Sequence, residues 1–325
     1  MKSSKKSSIK ILYFADVHIR DNKPRYRKDV DFFSVQYTKL QEILSIYDKE
    51  KCDFVISGGD LFDSYDTSIR NMLSVIAMIK NKWSKKNFFS LLGNHDLAYE
   101  NIDNYNNTAV GLLEAIDILD IPFDDIKIGD NIIIRFLHYK SNYKLDENDF
   151  VFDSAYDSMF KIIVNHFLIT KGSVPFDHIL SADVHKITNA NLILCSHVHH
   201  QFRDVTDKCS IINPGTIVRG AVSEMNCAPG VLLLELGAKN NFKFVPLKSA
   251  LPGNEVFDVE AKEEKDKTKK EFNEFFNMLK TMPVTRGDII EELKAYISKI
   301  EDPDKVEIQN TIVTEIIRAR EVLNA

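Results

Sequence analysis

Five short polar motifs, each at or just after the end of a hydrophobic, β-branched run, constrain the fold of this chain more than any other feature. The motifs are Asp16-Val17-His18, Gly59-Asp60, Gly93-Asn94-His95-Asp96, His166 and Ser196-His197-Val198-His199. Short runs of this kind are typical of buried strands. An open α/β sheet places its ligand-binding loops at the carboxyl ends of its strands. The sequence therefore predicts an α/β fold in which the five motifs form loops around one site.

The order of strands and helices predicts a two-sheet β-sandwich flanked by helices. The predicted strands cover residues 9–15, 54–57, 88–92, 131–137, 161–165 and 191–195, with closing strands of a second sheet at 210–212, 230–236 and 242–246. The predicted helices cover residues 30–47, 67–83, with Thr67 as N-cap, and 108–119, and residues 140–157 are predicted to be a loop or insertion. Two successive strand–helix–strand units imply a parallel sheet with right-handed crossovers.

Three segments of different character divide the chain of 325 residues. The polar, basic residues 1–8 are predicted to be disordered, and residues 9–250 to form the main domain. Leu251-Pro252-Gly253-Asn254 has the composition of a linker. Residues 251–325 then show helical patterns at 260–279, 286–300 and 306–323 and are mildly acidic. This C-terminal region is therefore predicted to be a helical extension, and not the main nucleic-acid surface.

Composition restricts the function and the compartment. Hydrophobic residues make up 44% of the chain, which permits a substantial core. A formal net charge of −6 is not that of a protein that coats nucleic acid by charge alone. The four cysteines show no Cys-x-x-Cys spacing, and no stretch approaches the roughly 18–20 apolar residues of a membrane span. We expect a soluble, reduced, cytoplasmic protein without a signal peptide or membrane segment.

The side chains of the five motifs suit a pair of divalent metal ions. Carboxylates, imidazoles and one amide, without a thiolate, favour borderline metals such as Mn²⁺, Fe²⁺ or Zn²⁺. Two such ions about 3.5–4 Å apart form the usual clamp for attack on a phosphate ester. The predicted ligands are Asp16, His18, Asp60, Asn94, His166, His197 and His199, with the carboxylate of Asp60 as the bridge. His95 is assigned to neither shell, which leaves it free to protonate the leaving oxygen or stabilise the transition-state charge, with Asp96 accepting a hydrogen bond that orients it.

At these residues the sequence resembles the calcineurin-like metallophosphoesterase superfamily. The family pattern is Asp-x-His, Gly-Asp-x-x-Asp, Gly-Asn-His-Asp/Glu, a lone His and Gly-His-x-His, and it matches residues 9–221 with every ligand position filled. One departure is Ser196, where the family usually has glycine. Within the superfamily the chain looks most like the SbcD-type, or Mre-eleven-type, nuclease subunits. The form Gly-Asp-Leu-Phe-Asp-Ser at 59–64, the segment Asn213-Pro214-Gly215-Thr216 and the helical tail point to that group.

The resemblance implies a four-layer αββα fold and a metal assignment. One ion would be held by Asp16, His18, Asp60 and His199, and the other by Asp60, Asn94, His166 and His197, leaving His95 as the catalytic histidine. It further implies a 3′–5′ exonuclease and single-strand endonuclease in DNA recombination and repair. Mn²⁺ would be the usual metal, with Mg²⁺, Fe²⁺ or Zn²⁺ as alternatives. The nuclease would act as a homodimer with an SbcC-type, SMC-like ATPase.

The resemblance says less about the C-terminal region and about the source organism. Little strand pattern follows residue 246, so the family's capping domain is predicted to be reduced or absent. The helices of 286–323 would then dock the ATPase or pack on this protein's own core. Low Gly and Pro counts with many Lys, Asn and Ile residues are typical of an AT-rich genome, such as that of a phage, which would place the protein in the host cytoplasm.

A basic, partly aromatic loop follows the first ligands and is a candidate DNA contact. Its residues are Arg20, Lys23, Arg25, Tyr26, Arg27 and Lys28. They would grip phosphates beside the metals, or form an ordinary solvated loop. Two other functions remain open on the same fold. The first is a phosphatase or phosphodiesterase of a non-DNA substrate, and the second is a non-catalytic scaffold, against which the complete ligand set argues.

Overall fold

A computed structural model of the chain describes residues 8–281. The chain divides into two compact units, Met1–Val259 and Glu260–Ala325. The predicted disordered start, apart from Ser8, and the helices predicted at 286–300 and 306–323 lie outside the described residues. Among the helices of the described part, none is long and apolar enough to cross a membrane.

Thirteen strands and seven α-helices make up the described fold. The strands are β1 Ser8–Phe14, β2 Phe54–Ser57, β3 Phe88–Ser90, β4 Ile126–Ile128, β5 Ile132–Leu137, β6 Phe160–Asn165, β7 Ile169–Thr170, β8 Ile179–Leu180, β9 Leu192–Cys195, β10 Phe202–Val205, β11 Ser210–Asn213, β12 Gly230–Gly237 and β13 Asn241–Pro246. The helices are α1 Phe32–Glu50, α2 Ile69–Ile79, α3 Ala109–Ala115, α4 Glu147–Phe150, α5 Ser181–Ile187, α6 Gly253–Val256 and α7 Val259–Thr281.

The first sheet has the order β13-β12-β1-β2-β3. The pairs β1–β2 and β2–β3 are parallel, whereas β12 is antiparallel to both β1 and β13. The prediction that residues 230–236 and 242–246 close the second sheet is therefore wrong. Because an apolar strand pattern does not name its partner, β12 is free to take the edge of β1 that β2 leaves open, where Leu12 pairs with Leu233.

The second sheet has the order β10-β11-β9-β6-β5-β4, with its four central strands parallel. The two sheets face each other through a shared apolar core that includes Ile11, Ile56, Val164 and Leu194. Helices α1, α2 and α3 cover the outer face of the first sheet, and α5 covers part of the second. The predicted α/β sandwich of two sheets flanked by helices is confirmed.

Most predicted elements are present, with shifted ends. Helix α2 begins after Ser68, whose side chain accepts a hydrogen bond from the backbone N–H of Asn71, so Ser68 and not Thr67 is the N-cap. The helix also ends earlier than predicted, at Ile79. Residues 140–157 are largely irregular, as predicted, but contain the short helix α4. Helix α7 confirms the helical pattern at 260–279.

Candidate metal centre

The loops that carry the motifs follow β1, β2, β3, β6 and β9, and they meet at the carboxyl ends of these strands. The loops after β1 and β2 stay paired beyond the sheet. Asp16 N–H donates to the carbonyl of Gly59 at 3.2 Å, and His18 N–H donates to the carbonyl of Asp60 at 3.0 Å. The first two motifs are therefore held side by side by main-chain hydrogen bonds.

Four of the predicted ligands adopt a left-handed backbone conformation. The φ angle is 52° at Asp16, 51° at His18, 52° at Asp60 and 69° at His197. Such conformations cost about 1–3 kcal/mol each for residues other than glycine, and they persist where surrounding contacts impose them. Here, His197 N–H donates to Asp16 Oδ1 at 3.1 Å. Strain concentrated on these residues marks a site in which ligand direction takes precedence over local stability.

The structure brings all seven predicted ligands together. Ligand atoms of Asp16, His18 and His199 lie within 4.8 Å of one another, as do those of Asp60, His166 and His197. Asp60 Oδ2 lies 3.6 Å from His18 Nε2 and 3.3 Å from His166 Nε2, so it stands between the two groups. Asn94 Oδ1 lies 3.0 Å from His197 Nδ1 and 3.3 Å from His166 Nε2.

The arrangement of lone pairs fits two divalent cations. Asp16 Oδ2 is buried and has no hydrogen-bond partner among residues 8–281. The Nε2 atoms of His18 and His199 face each other at 3.0 Å. An unpaired buried carboxylate oxygen is unfavourable, whereas metal ions would satisfy this oxygen and both imidazole nitrogens. Two groups of three side chains joined by one carboxylate match the number of ligands that a dimetal site needs.

Electrostatic coupling in the cluster is strong. Burial alone would lower the pKa of His166, but the negative charges of Asp60 and Asp16 raise it to about 9. Burial would likewise raise the pKa of Asp60, but His166 and His18 hold it below its usual range. Burial and the charge of His166 lower the pKa of His197 to about 3. Without bound metal, a protonated His166 therefore balances the buried carboxylates.

His95 sits beside the cluster and is the most accessible of the motif histidines. Its side chain is 39% exposed, and its ring lies edge-on to that of His18 at a centroid distance of 4.6 Å. Its Nδ1 lies 2.7 Å from the backbone carbonyl of Asp63. A carbonyl only accepts, so Nδ1 carries the proton and Nε2 is the atom available for chemistry. Its ligand atom also lies within 4.8 Å of those of His18 and Asp60.

The hydrogen bonds of Asp96 differ from the predicted ones. Asp96 Oδ2 accepts from the backbone N–H of Asp60 at 2.8 Å and of Gly93 at 2.9 Å, and it does not bond the ring of His95. Burial and the charge of Asp60 raise the pKa of Asp96 to about 7. Asp96 therefore holds the second and third motif loops together, and Asp63 orients His95.

Ser196 is accommodated without strain. Its φ is not positive, so the glycine usual at this position is not required here. The buried Oγ lies 2.6 Å from the carbonyl of Gly58 and 2.8 Å from that of Asn165. It also lies 3.0 Å from His166 Nδ1, whose ring also bonds the carbonyl of Gly58 at 2.7 Å. Since the Nδ1 proton is directed to this carbonyl, Nε2 of His166 faces the cluster.

A glycine is required at Gly93 for a different reason. A Cβ atom there would collide with Asp60 Oδ1 and would lie 2.6 Å from His166 Cε1. The third motif loop can approach the bridging carboxylate this closely only without a side chain.

The sequence did not predict the role of Glu224, a carboxylate behind the cluster. Glu224 is 5% exposed and lies just beyond the segment 213–216. Its Oε1 accepts from His199 Nδ1 at 2.6 Å, and its Oε2 accepts from the backbone N–H of Gly220 at 2.6 Å and of Ala221 at 3.2 Å. A carboxylate in this position fixes the tautomer and direction of a metal-binding histidine. No periodic pattern or motif spacing links residue 224 to residue 199, so only the fold reveals the pair.

The basic loop is only partly available to a ligand. Arg27 is 4% exposed, its Nε donates to Asp29 Oδ2 at 2.6 Å, and its guanidinium also donates to the carbonyl of Arg219. The protein itself therefore uses the donors of Arg27, which argues against the predicted contact of this residue with DNA. Arg20 forms an ion pair with Asp63. Arg25 and Lys28 are exposed, and Lys28 Nζ donates to the carbonyl of Asn254 at 3.3 Å.

Comparison with known proteins agrees with this geometry. Residues 9–201 match the sequence model of the calcineurin-like phosphoesterase family. A dimetal phosphatase from Danio rerio is similar in structure, with 11% identity and a TM-score of 0.50, over 74% of this chain and 97% of that one. A Thermus thermophilus protein, TT1561, has 13% identity and a TM-score of 0.46, over 73% and 99%. Comparison with curated protein sequences finds no match.

Proposed function

The chain belongs to the calcineurin-like phosphoesterase family, whose members are hydrolases acting on phosphoester bonds at a dimetal site, and we propose that the substrate of this member is DNA. We propose a Mn²⁺-dependent 3′–5′ exonuclease and single-strand endonuclease. The observation that carries the proposal is the segment Asn213-Pro214-Gly215-Thr216, typical of SbcD-type nucleases, built against the first ligand loop. Thr216 Oγ1 donates to the carbonyl of Asp16 at 2.7 Å, and Thr216 pairs with Ala15 as a β-bridge.

The proposed ligands divide into the two groups of side chains that lie together in the structure. Asp16, His18 and His199 would hold one ion, Asn94, His166 and His197 the other, and Asp60 both. When bound, the ions supply positive charge to the phosphate and lower the pKa of water toward about 7. Glu224 directs His199, and Ser196 together with the carbonyl of Gly58 directs His166. These contacts would keep the ligands aimed at the same points before and after turnover.

His95 would carry the proton transfer. With Nδ1–H fixed on the carbonyl of Asp63, His95 in its doubly protonated form would deliver the second proton, on Nε2, to the oxygen that leaves the phosphorus, and the ring would remain as the neutral Nδ1–H tautomer. The partial exposure of the ring places this nitrogen where a bound substrate can reach it. A positioned general acid of this kind contributes typically 10²–10⁴-fold to a rate, about 3–5 kcal/mol.

We propose that the protein acts as a homodimer in DNA recombination and repair with an SbcC-type, SMC-like ATPase, in the cytoplasm, or in the host cytoplasm if the source is a phage. The C-terminal helical region from residue 251 would dock the ATPase. The described surface of α7 is strongly charged, with an ion pair between Lys262 and Asp266, which suits a polar contact more than a buried one.

A panel of substrates tests the proposed function. The protein is incubated with Mn²⁺ and end-labelled single-stranded DNA, end-labelled duplex DNA, bis(p-nitrophenyl) phosphate and p-nitrophenyl phosphate, with and without an SbcC-type ATPase. Asp60→Asn serves as the inactive control. We expect cleavage of DNA and of the diester. Turnover of p-nitrophenyl phosphate without any cleavage of DNA would reject the nuclease and favour a phosphatase.

A further inference from the structure

A large open groove begins at the metal centre and leads away from it. It has a volume of about 940 Å³, and the ligands His166 and His197 form part of its wall. Six further lining residues are tyrosine, phenylalanine or lysine: Tyr139, Lys140, Tyr143, Lys144, Phe167 and Phe176. We call this surface the aromatic groove. A phosphate held at the metal centre would leave the adjoining part of its own molecule in this groove.

Tyr139 and Phe176 present rings to the aromatic groove. Tyr139 is half-buried and lies against His197, with ring centroids 5.7 Å apart. Phe176 is 59% exposed and lines the same groove. Tyr143 and Phe167 stack on each other at 3.7 Å with an interplanar angle of 8°, but Phe167 is only 2% exposed and packs in the core. Exposed flat rings such as that of Phe176 are a surface on which unpaired bases stack.

The charges of the aromatic groove are few and nearly balanced. Lys140 and Lys144 are exposed, and Asp177 and Asp183 line the same groove. Lys140 Nζ lies 3.5 Å from Asp149 Oδ2, and Asp183 is paired with Lys186 at 2.6 Å. Two lysines can neutralise one or two phosphates, but they cannot bind a strand by charge alone. Stacking must therefore provide much of the affinity for a nucleic-acid ligand.

We propose that the aromatic groove binds unpaired nucleotides of the strand whose phosphodiester lies at the metal centre. The inference rests on the proposed nuclease function and names the subsite that would distinguish a frayed or single-stranded end from a closed duplex. Bases stack on the exposed ring of Phe176 and on Tyr139, while Lys144 accompanies the backbone. Stacking on these rings requires a single strand, because duplex DNA presents its bases only at its ends and grooves.

Binding without metal tests the groove separately from catalysis. The affinity for a fluorescently labelled oligo(dT) is measured by anisotropy in EDTA, over a range of salt concentrations. Phe176→Ala is compared with Phe123→Ala, a phenylalanine that is 54% exposed and does not line the groove. Lys144→Gln is compared with Lys208→Gln, an exposed lysine elsewhere on the surface.

We expect Phe176→Ala to weaken binding by about fivefold or more, since one stacked base contributes about 1–3 kcal/mol. We expect Lys144→Gln to reduce the slope of log K against log salt by about 0.7. The controls should stay within about twofold. The proposal is overturned if both phenylalanine variants bind oligo(dT) with equal affinity, or if the wild type does not bind it. It is also overturned if Phe176→Ala loses as much affinity for blunt duplex DNA as for oligo(dT). Oligonucleotide bound by the wild type but never cleaved with Mn²⁺ would reject the nuclease function while leaving the groove supported.

Discussion

Replacing Glu224 with glutamine should weaken the binding of one metal ion and leave the affinity for the other unchanged. The carboxylate accepts three hydrogen bonds, from His199 Nδ1 at 2.6 Å and from the N–H groups of Gly220 and Ala221. An amide has one oxygen, so its NH₂ group must face either the histidine N–H or the backbone N–H groups. The substitution is nearly isosteric but creates at least one donor–donor contact in either orientation of the amide.

The size of the loss in Mn²⁺ affinity follows from the role of the hydrogen bond between Glu224 and His199. Loss of a hydrogen-bonding partner behind a metal-binding histidine typically reduces metal affinity or activity 10–100-fold. This range corresponds to about 1.4–2.7 kcal/mol. Because Glu224 contacts His199 and none of the other proposed ligands, the loss should fall on the ion that Asp16 and His18 share with His199.

The assay is a competition titration of Mn²⁺ against a chelating indicator, which resolves a tight and a weak binding step. Glu42→Gln is the matched control, because the Glu42 carboxylate also accepts from two backbone N–H groups, of Lys248 at 2.7 Å and Ser249 at 2.9 Å, and lies in none of the ligand clusters. Thermal unfolding of both variants without metal separates a folding defect from a binding defect. Two unchanged Mn²⁺ affinities in a folded Glu224→Gln protein would refute the role of the carboxylate.

Three further substitutions have definite expected results. His95→Gln should lower kcat by about 10²–10⁴-fold while leaving both Mn²⁺ affinities unchanged, as measured by steady-state kinetics and the same titration, and loss of an ion would instead make His95 a ligand. Ser196→Gly should reduce the free energy of unfolding by about 1–3 kcal/mol in urea titrations, because it removes the buried hydroxyl from the carbonyls of Gly58 and Asn165; a smaller change would mean that these bonds contribute little. Burial and the charges of Arg219 and Arg27 lower the pKa of Lys39 to about 7. Between this value and the ordinary lysine pKa of 10.5 the unfolded chain binds the extra proton, so Lys39 makes stability rise with pH, by at most about 1.4 kcal/mol per unit. Over the same range His166, whose pKa is raised to about 9, makes an opposite contribution that is common to the wild type and Lys39→Met. Urea titrations between pH 7 and 9 should therefore show a more positive slope of stability against pH in the wild type than in Lys39→Met, and equal slopes would contradict the shift.

The convergence of the motif side chains could be predicted from sequence because each motif follows a strand. Parallel strands carry their loops to a common edge, so Asp16, Asp60 and His166 had to meet once the strands before them were recognised. The two-sheet sandwich followed from the same periodicity.

Long-range pairing could not be predicted in the same way. The apolar pattern of β12 fits the edge of either sheet, and only the complete packing selects β1. Arginine is usually a surface residue, yet Arg27 is buried and donates to the carboxylate of Asp29 and the carbonyl of Arg219. Glu224 belongs to no motif, and the contact of His95 with Asp63 in place of Asp96 depends on loop geometry.

We propose that the five loops build one centre in which Asp60 joins two metal ions. Electron paramagnetic resonance of the Mn²⁺-loaded protein can detect this bridge, because two Mn²⁺ ions bridged by a carboxylate and solvent are magnetically coupled, whereas isolated ions are not. We predict two bound Mn²⁺ per chain with a coupled spectrum in the wild type, and loss of the coupled spectrum in Asp60→Asn. A spectrum of isolated Mn²⁺ in the wild type at full loading, or a coupled spectrum that survives in Asp60→Asn, would contradict the bridged centre.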